Sequence, residues 1–156
     1  MKHLLLGFFL ILQLMQIRAQ SCFSLYISTV PATPGGTVCL DVKAEGIDNL
    51  LGFQYTMKWD TSALHFNHLE NFNLPGLAAS SFSTQPSAVD NGRLSVSWFD
   101  GSLGGVDVSS GQVAYSICFD VGDVPDALHS VYFDRAPTPI EFVNANTELV
   151  GNYSLV

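Results

Sequence analysis

Residues 51–64 read LGFQYTMKWDTSAL. Phe53, Tyr55, Met57 and Trp59 alternate with Gln54, Thr56, Lys58 and Asp60. A period of two puts large apolar groups on one face of a strand and polar groups on the other. Asp60-Thr61-Ser62 then offers short polar side chains that bond the local backbone and turn it. Apolar chain resumes at Leu64. The segment predicts a half-buried strand ending at a polar corner.

The same period recurs on both sides of it. Phe23, Leu25 and Ile27 alternate with Cys22, Ser24 and Tyr26, and Val38, Leu40 and Val42 alternate with Thr37, Cys39 and Asp41. Between them Pro31 to Gly36 reads as a turn, since prolines fix φ and glycines permit positive φ. Further runs are Leu64 to Leu69, Ser81 to Thr84, Leu94 to Phe99, Val113 to Val121, Val131 to Phe133 and Leu149 to Val156. Asp90-Asn91-Gly92 is a hairpin-type turn ahead of Leu94. That makes about nine strand candidates at the spacing of a sandwich. No window carries a sustained i, i+3, i+4 pattern with caps. The expectation is one all-β domain of two antiparallel sheets packed face to face.

Residues 1–19 have the layout of a secretory signal peptide. Lys2 supplies a positive start, Leu4 to Leu12 is apolar, and cleavage is expected between Ala19 and Gln20. Gln13 and Gln16 interrupt the run well short of the roughly 20 apolar residues that span a bilayer. A lipid anchor on Cys22 is the weaker alternative. The mature domain is then residues 20–156, or 156 − 19 = 137 residues, secreted or held at the cell surface.

Without Lys2 and Arg18, four basic residues face 14 carboxylates, a net charge of 4 − 14 = −10. So acidic a surface disfavours nucleic acid and anionic membranes as partners. The chain's 11 Phe argue against disorder. Cys22, Cys39 and Cys118 in an oxidising compartment give one disulfide and one leftover thiol. No CxxC pair is present, so their spacing fits no zinc motif.

Chemistry-bearing groups fall short of a catalytic pattern. His65 and His68 are three apart, which on a regular strand places them on opposite faces and predicts no metal site. Of Asp100, Asp107, Asp120, Asp123 and Asp126, most sit beside Gly, Pro or Ser in predicted turns, where aspartate bonds local backbone, and not as a glycosidase pair. The run from Asp120 to Asp126 lacks the acid spacing of a calcium-binding EF-hand. There is no GxSxG, and no cysteine adjoins a histidine in sequence. Neither enzyme activity nor a cofactor is expected. Trp59 and Trp98 fall on inner faces, so they are expected in the core and not as a platform for sugar stacking; Tyr26 and Phe99 are the rings expected outside.

Four segments in order resemble cohesin domains: PGGTVCLDV at 34–42, LGFQYTMKWD at 51–60, DNGRLSVSW at 90–98 and VAYSICFDV at 113–121. The likeness is to the cohesin-like modules of secreted surface proteins of the Bacteroidetes type, and it covers nearly all of residues 22–156. It implies a nine-stranded jelly roll with sheets ordered 8-3-6-5 and 9-1-2-7-4. Strands 2 and 7 are then neighbours, and the resemblance implies a cross-strand disulfide between Cys39 and Cys118, with Cys22–Cys39 as the competing pair.

Cohesins bind dockerin modules through the 8-3-6-5 face. Carried over, the outward residues are Gly52, Gln54, Thr56 and Lys58 on the third strand and Ser95, Ser97 and Phe99 on the sixth. Cellulosomal cohesins have Asn and Asp where this chain has Gly52 and Gln54. The resemblance implies an exported, non-catalytic module that docks a dockerin-like partner, in a setting of polysaccharide breakdown. Direct carbohydrate binding, or a structural adhesin domain with no specific ligand, are the alternatives.

Overall fold

A computed structural model describes residues 23–123 and 129–156. The signal-peptide reading of residues 1–19, and Cys22, lie outside the described residues. Among the described residues there are ten strands: β1 Phe23–Ile27, β2 Thr37–Glu45, β3 Ile47–Lys58, β4 Leu64–Glu70, β5 Arg93–Phe99, β6 Val106–Val108, β7 Gln112–Val121, β8 Tyr132–Asp134, β9 Glu141–Asn144 and β10 Tyr153–Leu155. A one-turn helix, α1, spans Pro86–Val89.

The first sheet runs β10-β1-β2-β7-β4. The second is built around β3. Phe53 pairs with Trp98 on one side and Phe142 on the other, and Leu50 pairs with Val106 and Asn144. So β5 and β6 follow one edge of β3, while β8 and β9 follow the other. This is the two-layer sandwich that the alternating runs predict, in the jelly-roll order that the resemblance implies.

Three details depart from expectation. Ser81 to Thr84 is not a strand: it is a 3-10 turn at Ala79–Ser81 and a single bridge from Phe82 to Val96. Phe82 is buried and Pro86 opens α1 just beyond, so the segment gives one core contact and one rung. Two strands, β6 and β9, are short enough to escape a periodicity reading. The sheets are also not wholly antiparallel, because β10 lies parallel to β1, with Phe23 opposite Tyr153 and Leu25 opposite Leu155. β10 arrives from β9 in the other layer and not through a hairpin, so nothing forces the antiparallel sense.

The core fills the space between the layers. Tyr55, Met57, Leu94 and Val96 from one sheet meet Val42, Tyr115, Ile117 and Phe119 from the other, each at most 2 % exposed. Phe142 packs against Phe23, Phe53, Tyr55 and Tyr153, so the overlooked β9 supplies a central ring. Trp59 and Trp98 are buried, as their inward positions require; Trp98 Nε1 donates to the Pro75 carbonyl at 2.9 Å. Asp60 closes the corner after β3 by accepting from Ser62 N and Oγ.

Cys39 and Cys118 stand directly opposite each other on β2 and β7 and are joined as a disulfide. The pairing implied by the resemblance is the one formed.

Candidate functional site

Alternation along β3 turns Gly52, Gln54, Thr56 and Lys58 to the outer side of the second sheet, opposite Phe99, Ser97, Ser95 and Arg93 of β5. On the other edge, Val143 and Glu141 of β9 stand opposite Gly52 and Gln54, and Asp134 and Tyr132 of β8 stand opposite Thr56 and Lys58. The outer face is therefore a grid whose rows run across the strands.

The first row is apolar: Phe99, Gly52, Val143 and, through its bridge to Val143, Leu149. Phe99 is 66 % exposed and Leu149 69 %, large values for such groups on a sheet. At a strand spacing of about 4.8 Å these four columns cover roughly 14 Å. Gly52 makes the row possible. A Cβ there would lie 2.8 Å from the Trp98 carbonyl oxygen and 3.3 Å from Phe99 Cβ.

The second row is polar. Gln54 Nε2 donates to Glu141 Oε2 at 2.8 Å, with exposed Ser97 beside it. The last row holds Arg93, Lys58 and Tyr132, and Lys58 forms a 3.2 Å ion pair with Asp134. The Asp134 carboxyl is held below its ordinary pKa by the Ala136 backbone N–H first and then by Lys58.

The row between them corrects the sequence reading. Thr56 points outward but is fully buried, because residues 135–140 cross over it. The Thr138 backbone N–H donates to Thr56 Oγ1 at 3.0 Å, and the hydroxyl lies 3.2 Å from the Thr138 carbonyl and 3.1 Å from Ser95 Oγ. Thr56 is thus a latch for that segment and not an available contact; Ser95 beside it is half-buried. Gln54, Lys58, Ser97 and Phe99 reach solvent in full or in part. Glu141, Val143, Leu149 and Tyr132 are face residues that the sequence reading missed. The alternation of Glu141, Phe142 and Val143 was the available signal, spread over too few residues to stand out.

Asp100 bonds local backbone as expected of a turn aspartate. Asp107 and Asp120 instead lie within β6 and β7 and accept from residues distant in sequence, Asp120 from Thr37 Oγ1 and Asn67 Nδ2. Asp100 accepts from Ser102 N and Oγ and from Gly105 N, and Asp107 accepts from Asn49 N. Ser102 is the main cause of a lowered Asp100 pKa. Asp126 lies outside the described residues.

The histidines are placed differently from the prediction. His65 stands opposite Asp120 and His68 opposite Cys118, because a bulge at Asn67 inserts one extra residue into β4. Both imidazoles therefore lie on the outer face of the first sheet. Tyr26 is half-buried.

No protein-family model and no curated protein sequence matches the chain. Solved structures do. The sixth cohesin of Acetivibrio cellulolyticus scaffoldin B, crystallised with a Cel5 dockerin, is 20 % identical with a TM-score of 0.69, covering 87 % of this chain and 95 % of that one. A type I cohesin–dockerin complex from Clostridium thermocellum is 15 % identical with a TM-score of 0.70, covering 86 % and 94 %. The second type II cohesin of the Acetivibrio cellulolyticus adaptor scaffoldin is 16 % identical with a TM-score of 0.60, covering 89 % and 95 %. The chain has the cohesin fold.

Proposed function

We propose that this chain is an extracellular, non-catalytic docking module that recruits a dockerin-type partner through the outer face of its second sheet, in the service of polysaccharide breakdown. The observation that carries this reading is the apolar row of Phe99, Gly52, Val143 and Leu149, bordered by the Gln54–Glu141 pair and by Lys58 with Asp134. An α-helix is about 10–12 Å across, so one helix laid on the face spans most of the row. The partner's apolar side chains would cover Phe99 and Leu149, while Ser97, Gln54, Glu141 and Lys58 form the polar rim. Solved relatives of this fold were crystallised with dockerins, which supports the choice of partner class.

The face differs from a conventional cellulosomal one. Glycine and glutamine stand at 52 and 54, where those cohesins use an amide and a carboxylate. The grip passes from hydrogen bonds to the apolar row. The proposal predicts a partner helix with a more apolar contact surface than a cellulosomal dockerin presents.

Calorimetric titration with dockerin modules from the same source is the test. Saturable 1:1 binding is expected, weakened at least ~30-fold by Phe99→Ala, the size of an interface hot spot. Retention on insoluble polysaccharide, abolished by the same substitution, would instead assign the face to carbohydrate. Silence in both assays would leave a structural adhesin domain.

A further inference from the structure

The outer face of the first sheet carries a second constellation, remote from the docking face by the thickness of the sandwich. Cys39, Cys118 and His68 form one row across β2, β7 and β4. Glu70 lies two residues further along β4 on the same side. One donor atom from each of the four lies within 4.8 Å of every other. The bulge at Asn67 is what brings His68 into the row.

The hydrogen bonds around His68 favour a cation beside it. Asp120 is acceptor-only when ionised, so Asn67 must turn its Nδ2 toward Asp120 Oδ1, which it reaches at 2.7 Å. That turns Asn67 Oδ1 toward His68 Nδ1 at 2.8 Å and makes Nδ1 the donor. Nε2 is then directed at Glu70 Oε2, 3.4 Å away. In a neutral imidazole that is a lone pair facing a carboxylate, an arrangement that a shared positive charge relieves. A ring N–H given to an amide oxygen, with the other nitrogen left bare, is how histidine is oriented toward a metal.

We propose that, once the Cys39–Cys118 bond is reduced, Cys39, Cys118, His68 and Glu70 form a four-ligand tetrahedral zinc site. The disulfide takes two electrons from two equivalents of a small thiol, which leaves as its own disulfide, and the protein gains two thiols. Zinc binding then releases both thiol protons, and two thiolates, one neutral imidazole and one carboxylate ligate the ion. Zinc–ligand bonds of about 2.0–2.3 Å set tetrahedral edges near 3.3–3.8 Å. The sulfurs separate to that distance and the other donors close by at most about 1.5 Å from separations within 4.8 Å, a shift on the scale of side-chain rotation. The metal thereby replaces a two-strand cross-link with one that ties β2, β7 and β4.

The test uses the full mature chain carrying Cys22→Ser, so that only two thiols are available. After reduction with a phosphine, cobalt(II) is titrated in place of zinc. One equivalent is expected to develop thiolate-to-cobalt charge transfer and the intense visible bands of a tetrahedral centre, both displaced by zinc. Oxidised protein should show neither. His68→Ala and Glu70→Gln should each weaken binding by tenfold or more, and Asn67→Ala by roughly 10–100-fold through loss of ring orientation. A featureless cobalt spectrum in the reduced protein, or one indifferent to His68 and Glu70, overturns the site. If reduction unfolds the chain, one equivalent of zinc should restore the native tryptophan fluorescence; failure to do so also overturns it.

Discussion

Gly52 stands directly opposite Phe99 on the outer face of the second sheet, and the space its missing side chain leaves is closed by the Trp98 carbonyl and the Phe99 Cα and Cβ. The tightest neighbour of an added Cβ is the Trp98 carbonyl oxygen at 2.8 Å, which is backbone and cannot rotate away. Gly52→Ala should therefore part β3 from β5 locally, destabilising the domain by about 1–3 kcal/mol. It should also weaken partner binding by displacing Phe99. Phe99→Ala, by contrast, removes an exposed ring and should leave stability within about 0.5 kcal/mol. Denaturant unfolding and titration on the same two variants separate support of the face from contact by it.

Thr56 offers the complementary case. Its hydroxyl is the acceptor for the Thr138 N–H beneath residues 135–140. Thr56→Val keeps the volume and strands that buried N–H, a loss of about 1–3 kcal/mol. Partner affinity should change by no more than a few-fold, since the methyl-for-hydroxyl exchange is under cover. A large affinity loss with unchanged stability would place the contact surface over residues 135–140 instead.

The legible parts of this chain were those where alternation runs long. β3, β5 and β7 carry sustained alternating runs, and from them followed the inward tryptophans, the outward Gln54, Lys58, Ser97 and Phe99, and the two-layer architecture. β6 and β9 have three and four residues, too few for a period to rise above chance, yet β9 provides Phe142 to the core and Val143 and Glu141 to the face. Burial of Thr56 was invisible because it depends on Thr138, 82 positions later in the chain. The histidine pair failed for another reason: a bulge shifts the face of everything beyond it, and one extra residue has no compositional mark.

The two buried tyrosines should respond unequally to loss of a hydroxyl. Tyr115 Oη donates to Met57 Sδ at 3.0 Å, so the 2.9 Å contact between the rings' hydroxyls runs from Tyr55 as donor. Tyr55→Phe leaves Tyr115 its acceptor and should be mild. Tyr115→Phe strands the Tyr55 hydroxyl in the core, about 1–3 kcal/mol. Equal losses in chemical denaturation would mean the donor order is reversed or dynamic.

Stability should also fall at both pH extremes, for opposite reasons. Burial pushes both tyrosines above their ordinary pKa, so the neutral pair is retained in the fold. Their contribution is full below the unfolded value near 10 and is lost as pH rises beyond it. Asp100 and Asp120 move the other way. Ser102 lowers the first, and Asn67 followed by Thr37 lowers the second. Their contribution is full above the unfolded value near 3.9 and disappears as pH drops further. Thermal midpoints measured across pH should show both declines. Beyond the pH-independent loss each causes by breaking hydrogen bonds, Tyr115→Phe should flatten the alkaline limb and Asp120→Asn the acid limb.

The disulfide closes a separation of 79 positions, and chain-entropy reasoning assigns such a cross-link up to about 4–5 kcal/mol. Replacing Cys39 and Cys118 together with alanine should lower the thermal midpoint by roughly 10–20 °C for a domain of this size. Because the effect acts on the unfolded chain, the denaturant slope should steepen as that chain expands, while the folded sheet keeps its register. The backbone ladder does not depend on the bond: β2 and β7 pair from Thr37–Asp120 to Ala44–Gln112, well beyond the two cysteines on either side. A midpoint shift without any change of slope would instead locate the stabilisation in the folded state, where Cys118 is fully buried beneath His68 and Glu70.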